Sequence, residues 1–146
     1  MENEEFTVLA RKSTKYLNDA IMVSRLSHWN VRGREYYEAH LLFERVYKDM
    51  RKQLDPHVEQ LRACGFNPDF DIFTGPGIML SSYDSEYLVE LTLDYVMAAN
   101  SAISMFFRFC ADHDHDPRLV GLADHLGGVS SVLLVDQYLL QSWLGH

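Results

Sequence analysis

The chain has 146 residues, 47% of them hydrophobic, and a formal net charge of −8 at pH 7. Residues 1–146 are expected to form one domain whose core needs neither disulfides nor structural metals. The acidic excess repels phosphate backbones and disfavours nucleic acid as a partner. No run approaches the roughly 18 consecutive apolar residues of a membrane span, and the first residues, MENEEF, are acidic where a secretory signal is basic and then apolar. We therefore expect a soluble cytoplasmic protein.

Two helices are predicted in the first half of the chain. Apolar and small residues recur at three- and four-residue steps from Phe6 to about Val31, the pattern of a helix with one buried face. Gly33 breaks this pattern, and a second stripe continues to Gly65. The short turn between them makes the two helices antiparallel. The second stripe consists of Ala39, His40, Phe43, Val46, Tyr47, Met50, Leu54, Val58 and Leu61.

Residues 65–84 contain several Pro and Gly residues and are expected to form a long connection without an element of its own. Ser85 is a possible N-cap for a third helix that runs to about Ala111. Asp116 and Pro117 begin a fourth helix, which ends near residue 144. The expected fold is all-α, a ferritin-like four-helix bundle in which the long connection crosses the full height of the bundle. The stripe of the third helix consists of Leu88, Leu91, Tyr95, Ala98, Ala99, Ala102, Phe106 and Phe109.

The two cysteines, Cys64 and Cys110, form neither a CxxC pair nor a regular framework. We expect both to be buried or half-buried free thiols of a protein from a reducing compartment.

Four residues are candidate metal ligands. His28 lies five residues before Gly33 and His40 seven residues after it, which puts their imidazoles about 7 and 10 Å from the turn of an antiparallel hairpin. The two rings can therefore face each other. Asp55 and Glu59 are an i, i+4 pair, so both carboxylates lie on one helical face within reach of one ion.

The distance between these two pairs predicts a site shared by two chains. His40 and Asp55 lie on one helix about 22 Å apart, so one ion cannot contact both residues of the same chain. If the first two helices pack against their copies across a two-fold axis, the histidine end of one chain meets the carboxylate end of the other. Two imidazoles and two carboxylates suit iron(II), with zinc and manganese as competitors.

Each candidate also has a more ordinary interpretation. A histidine on an apolar stripe is often a satisfied core residue, and an Asp with a Glu four residues later is often surface charge. Trp29 has two interpretations: its ring lines the metal site, or it packs at the junction of the helix hairpin. The DHDHD run at residues 112–116 guides cations at a pore or forms a solvated turn. His57 points about 160° away from Asp55 and Glu59 around the helix, outside the site.

The run HWNVRGREYYEAHLLFERVYKDMRKQLDPHVEQLRACG, residues 28–65, resembles the central signature of the Dps family, the DNA-binding proteins from starved cells. The resemblance needs no gap: HWNVRG, a second His twelve residues after the first, an Asp fifteen later and a Glu four after that. It implies that His28 and His40 of one subunit and Asp55 and Glu59 of its neighbour form a ferroxidase centre. It also implies a hollow dodecamer built from two-fold dimers, and oxidation of iron(II) by hydrogen peroxide or dioxygen with storage of the ferric mineral.

Several features of the chain depart from relatives of this kind. Ordinary ferritins build the site within one bundle from Glu-x-x-His motifs, and this sequence contains none. Pro56 follows Asp55 directly and predicts a kink at the site. Gln60 stands where the family usually has an Arg. The terminal segments MENEEF and SWLGH lack the Lys-rich tail with which some members bind DNA, so direct DNA binding is not expected.

Two alternatives to a ferroxidase remain. The first is a structural or interaction cage whose metal site is degenerate because of Pro56. The second is a module that protects nucleic acid by coating it, which the net charge of −8 disfavours.

Overall fold

The computed structural model describes residues 4–73 and 77–146, and residues 74–76 of the predicted connection lie outside this part. Four long helices account for most of the described chain: α1 (Glu4–Asn30), α2 (Tyr36–Ala63), α3 (Ser85–Asp112) and α4 (Pro117–Trp143). The predicted all-α bundle is confirmed, and the predicted helix ends agree with these bounds to within about two residues.

The four helices pack against one another in the arrangement of a ferritin-like bundle. α1 packs against α2 and α3, and α4 packs against α3 and α2. The connection after α2 returns to the end of the bundle where α1 ends. There the amide of Arg32 donates to the carbonyl of Tyr83 at 2.9 Å, and Arg32 forms a parallel bridge with Asp84. α3 therefore starts beside the α1–α2 turn and runs parallel to α2. The connection includes one short 3₁₀ helix, Phe70–Phe73, which the sequence did not predict.

The N-termini of α3 and α4 follow ordinary capping chemistry, with one correction to the prediction. Asp84, and not Ser85, caps α3, since its carboxylate accepts from the amide of Tyr87. An aspartate immediately before the helix competes successfully for this role. Ser85 instead begins the helix and donates its hydroxyl to Glu35 at 3.2 Å. Asp116 caps α4 as predicted.

The core lies along the inner faces of all four helices. On α3 the predicted stripe is partly wrong, because Ala98 is exposed and Leu91 is only half-buried, whereas Thr92 and Val96 are fully buried. Near the end of α2, His57 is fully buried and Val58 is only half-buried. Alanine-rich and mixed segments carry more than one possible apolar stripe, and packing against the neighbouring helices decides between them.

α4 is long and apolar enough to resemble a membrane span by length and composition alone, with a mean hydropathy of 1.4 over 18 residues. The core helix of a soluble protein meets the same test. Its inner residues Leu122, Leu126, Leu133 and Leu140 are fully buried in the bundle, while Leu134 and Tyr138 are exposed. Both predicted free cysteines, Cys64 and Cys110, are confirmed as buried and unbridged.

Candidate metal centre

His28 and His40 meet across the hairpin of α1 and α2, as the sequence predicts. Their rings stack with centroids 3.9 Å apart and planes 19° from parallel. Nδ1 of His28 lies 3.0 Å from the backbone oxygen of His40, and Nδ1 of His40 lies 2.9 Å from the backbone oxygen of His28. A carbonyl oxygen only accepts, so each Nδ1 carries a proton and donates it. In the neutral ring, Nε2 then keeps the lone pair that a metal ion needs.

Aromatic side chains surround this histidine pair. Tyr36 stacks on His40 with centroids 5.0 Å apart, and Tyr47 contacts His28 with centroids 5.4 Å apart. The guanidinium of Arg25 lies 5.1 Å from the Tyr47 ring centre and 5.7 Å from that of Trp29. Trp29 is 63% exposed, so within one chain it is not a packing residue of the hairpin core.

Glu44 is a third potential ligand that the sequence analysis missed. His28, His40 and Glu44 each have one potential ligand atom within 4.8 Å of those of the other two. In the described residues, no other group of three His, Cys, Asp or Glu side chains meets this condition. Glu44 follows His40 by one turn of α2, a spacing that could have identified it. Its carboxylate pairs with Lys48, whose hydrogen bond and charge hold the pKa of Glu44 below its usual value.

Asp55 and Glu59 lie near the opposite end of α2, and both are exposed. The helix between them and His40 is continuous. At the usual helical rise, Asp55 is about 22 Å along the axis from His40. One chain therefore brings His28, His40 and Glu44 together and keeps Asp55 and Glu59 apart from them.

Pro56 does not end α2, which remains helical from Tyr36 to Ala63. The proline for which a kink is predicted thus lies inside a continuous helix, and Asp55 is part of that helix. Proline removes one backbone hydrogen bond, but the turns around it are held by packing: Leu54 contacts the core and His57 is fully buried. The carboxylates of Asp55 and Glu59 thus keep the one-turn spacing that a shared ion requires.

His57 belongs to a second, separate histidine pair, so its exclusion from the site agrees with its position in the core. Its Nε2 lies 2.9 Å from the hydroxyl of Ser13, and its Nδ1 lies 3.2 Å from Nε2 of His125. The Ser13 hydroxyl is also 3.1 Å from the carbonyl of Ala10. All three contacts are satisfied when His125 donates to His57, His57 donates to Ser13 and Ser13 donates to Ala10. Burial, reinforced by His125, lowers the pKa of His57 to about 3, so this ring is neutral.

The donor chemistry of the first pair determines what it can bind. Two imidazole nitrogens and one carboxylate form a mixed nitrogen and oxygen set, which suits iron(II), zinc and manganese better than calcium. The side chains present are therefore compatible with iron, and open positions remain for oxygen ligands from elsewhere.

Comparison with solved structures places the fold among Dps proteins. The chain superposes on Dps from Vibrio cholerae O1, described as a member of the ferritin-like diiron-carboxylate superfamily, with a TM-score of 0.82, 16% identity, and coverage of 97% of this chain and 89% of that one. For a Dps protein from Bacillus brevis the TM-score is 0.82, with 16% identity and 99% coverage of both chains. Dps from Thermosynechococcus elongatus gives a TM-score of 0.81 at 13% identity, covering 97% of this chain and 90% of that one. No protein-family model and no curated protein matches the sequence.

Proposed function

We propose that this chain, which has the fold of Dps proteins, oxidises iron(II) at sites shared between two copies and stores the ferric product inside a hollow oligomer. The observation that carries the proposal is the arrangement of His28 and His40, whose Nδ1 atoms are occupied by backbone carbonyls and whose Nε2 atoms are left for metal. Support comes from the ferritin-like diiron-carboxylate description of Vibrio cholerae Dps and from Microbacterium arborescens Dps, which was solved in a high-iron form.

Each residue of the proposed site has a separate task toward the iron substrate. His28 and His40 supply neutral nitrogen donors that hold iron(II) without adding charge. Glu44 of the same chain, and Asp55 and Glu59 of the neighbour, supply anionic oxygen, which favours iron(III) over iron(II). Two iron(II) ions give one electron each to hydrogen peroxide, which takes up two protons and becomes two water molecules. With dioxygen the same site is expected to work more slowly.

A two-fold dimer explains why the ligands are divided between the ends of α2. When α1 and α2 pack against their copies, each histidine end lies beside the other chain's Asp55 and Glu59. Exposed apolar side chains on these two helices, such as Trp29, Tyr37 and Leu41, support contacts between the copies. We propose that the dimers assemble into a closed shell, a dodecamer, in the cytoplasm.

Complementation tests the shared site directly. The His28→Ala and Asp55→Ala variants are purified, mixed in equal amounts, dissociated and reassembled. Each variant alone should lack rapid formation of ferric absorbance after anaerobic iron(II) loading and peroxide addition. Random pairing makes about half of the dimers mixed, and each mixed dimer has one intact site, so about a quarter of the wild-type sites should return. A mixture as inactive as its components would refute the shared site.

The competing function is a structural cage whose metal site is degenerate. It predicts that the wild-type chain and the His28→Ala, Asp55→Ala double variant form ferric product at the same slow rate. A His146→Ala variant provides the matched control, since His146 is exposed and lies outside both histidine pairs. A wild-type rate equal to that of the double variant would favour the structural cage.

A further inference from the structure

The turn between α3 and α4 carries two histidines that the proposed iron site does not use. His113 and His115 lie in the DHDHD run at residues 112–116, and their ring centres are 6.1 Å apart. α3 has 28 residues and begins beside the α1–α2 turn, so its far end lies more than about 30 Å along the bundle from His28 and His40. The two histidine pairs of one chain therefore cannot share an ion.

His113 is held in place by the last turn of α3. Its Nδ1 lies 2.7 Å from the backbone oxygen of Phe109, and its ring stacks on the Phe109 ring with centroids 4.1 Å apart. A carbonyl oxygen only accepts, so Nδ1 carries a proton and donates it. In the neutral ring, Nε2 keeps its lone pair, and no described residue forms a hydrogen bond with it. His113 thus has the tautomer that leaves Nε2 for a metal ion.

The backbone of the turn holds the two histidines near each other. The amide of His113 donates to the carbonyl of Cys110 at 3.1 Å, and the amide of Asp116 donates to the carbonyl of His113 at 3.2 Å. His115 lies inside this hydrogen-bonded turn, is exposed, and its side chain forms no hydrogen bond with a described residue. Its ring can therefore rotate towards Nε2 of His113 while the backbone stays in place.

The distance between the two rings is compatible with two ligands of one ion. With a zinc–nitrogen bond of about 2.1 Å, a ring centre lies about 3.3 Å from the ion, so two rings on one ion have centres at most about 6.6 Å apart. The 6.1 Å between His113 and His115 lies within this limit. A tetrahedral angle at the ion requires the exposed His115 ring to move by about 1 Å.

The charge around the turn favours a cation. Asp112 and Asp114 are exposed and form no ion pair with a described residue, whereas Asp116 pairs with Arg118 at 3.0 Å. The last carbonyl groups of α3 add partial negative charge, and the positive N-terminus of α4 is already capped by the Asp116 carboxylate. Two uncompensated carboxylates therefore flank the imidazoles and attract a divalent ion.

We propose that His113 and His115 bind a divalent transition-metal ion of the zinc, nickel or copper class, at a site separate from that of His28 and His40. Imidazole nitrogen suits these ions better than magnesium or calcium. No third His, Cys, Asp or Glu of the described chain completes a group with these two rings, so water fills the remaining positions. The bound ion would link the end of α3 to the turn that leads into α4.

Zinc is the probe, and its binding is measured by isothermal titration calorimetry at pH 7.5. The protein carries His28→Ala and His40→Ala, which remove the imidazoles of the proposed iron site, so the result does not depend on ferroxidase activity. We expect one zinc ion per chain at the α3–α4 turn. Adding His113→Gln or His115→Gln should weaken the affinity about tenfold or more, because the second ring no longer acts as an intramolecular ligand.

His146→Gln is the matched control, because His146 is also exposed and lies outside the described histidine pairs. It should leave the zinc affinity unchanged. Zinc binding that survives both His113→Gln and His115→Gln, or that only one of them weakens, would overturn the proposal. Circular dichroism of the zinc-free variants verifies that each remains folded. The exposed position of His115 keeps its variant independent of the packing of His113 on Phe109.

Discussion

His28 and His40 fix each other through the backbone, since the Nδ1–H of each ring donates to the carbonyl oxygen of the residue that carries the other ring. The exchange is reciprocal and uses no side chain other than the two rings. The ligand geometry is thus set by the α1–α2 hairpin before any metal binds. In most metal sites a carboxylate or carbonyl performs this orienting role for each histidine separately.

The first prediction concerns the protonation of these rings. In the metal-free protein at pH 8, both His28 and His40 should be Nδ1–H tautomers. Long-range ¹H–¹⁵N correlation spectra of ¹⁵N-histidine protein distinguish the tautomers directly. Signals of the Nε2–H form at either position would contradict the orientation derived from the two carbonyl contacts.

The second prediction concerns Glu44. Glu44→Gln keeps the side-chain size but removes the charge beside the two imidazoles, so the rate of iron(II) oxidation by peroxide should fall about 10-fold or more. Glu38→Gln serves as the control, because Glu38 is exposed on the same helix and does not belong to the group of His28, His40 and Glu44. Equal rates for the two variants would remove Glu44 from the site.

The third prediction concerns the buried chain of hydrogen bonds at His57. Ser13→Ala leaves the Nε2–H of His57 without an acceptor in the core, which should cost about 1–3 kcal/mol. Thermal unfolding should show a midpoint lower by several degrees. Ser131→Ala is the comparison, since the exposed Ser131 hydroxyl only donates to Gly127 of its own helix. A Ser13→Ala midpoint within 1 °C of wild type, about the precision of the measurement, would show that the contact adds no net stability.

The fourth prediction concerns the two thiols. Burial raises the pKa of Cys64, and burial with Cys64 nearby raises the pKa of Cys110 to about 12. Because only the thiolate reacts, the native protein should resist iodoacetamide at pH 8 and react fully in denaturant. The native state also holds the Cys110 proton more tightly than the unfolded state, so the free energy of unfolding should fall as the pH rises above about 9. Mass spectrometry measures the alkylation, and rapid alkylation of the native protein would contradict the expected resistance of the two thiols.

The fifth prediction concerns nucleic acid. A net charge of −8 per chain, repeated over an oligomer, should prevent binding to duplex DNA even at low salt. A gel-shift assay with a 100-base-pair duplex should show free DNA throughout. Retardation that disappears as salt is raised would show that a local basic surface overcomes the net charge.

Sequence periodicity predicted the fold well because long helices repeat their apolar pattern many times. The histidine pair was predicted for a related reason: its geometry depends only on distances from Gly33 along two straight helices. Glu44 was missed although it follows His40 by one helical turn, because α2 carries several acidic residues and the distance to both rings singles this one out. The burial of Asp136 and His57 could not be predicted, since an isolated polar residue in an apolar stripe has no sequence signal for its partner on another helix.

The Arg32–Tyr83 hydrogen bond has a consequence for the order of folding. α1 with α2, and α3 with α4, are hairpins of neighbouring segments and close quickly. The hydrogen bond between Arg32 and Tyr83 joins positions far apart in the chain, so its loop closure costs more entropy, and we expect it to form after the hairpins. The imidazole pair can thus be in place on a nascent hairpin while the second half of the bundle is still docking.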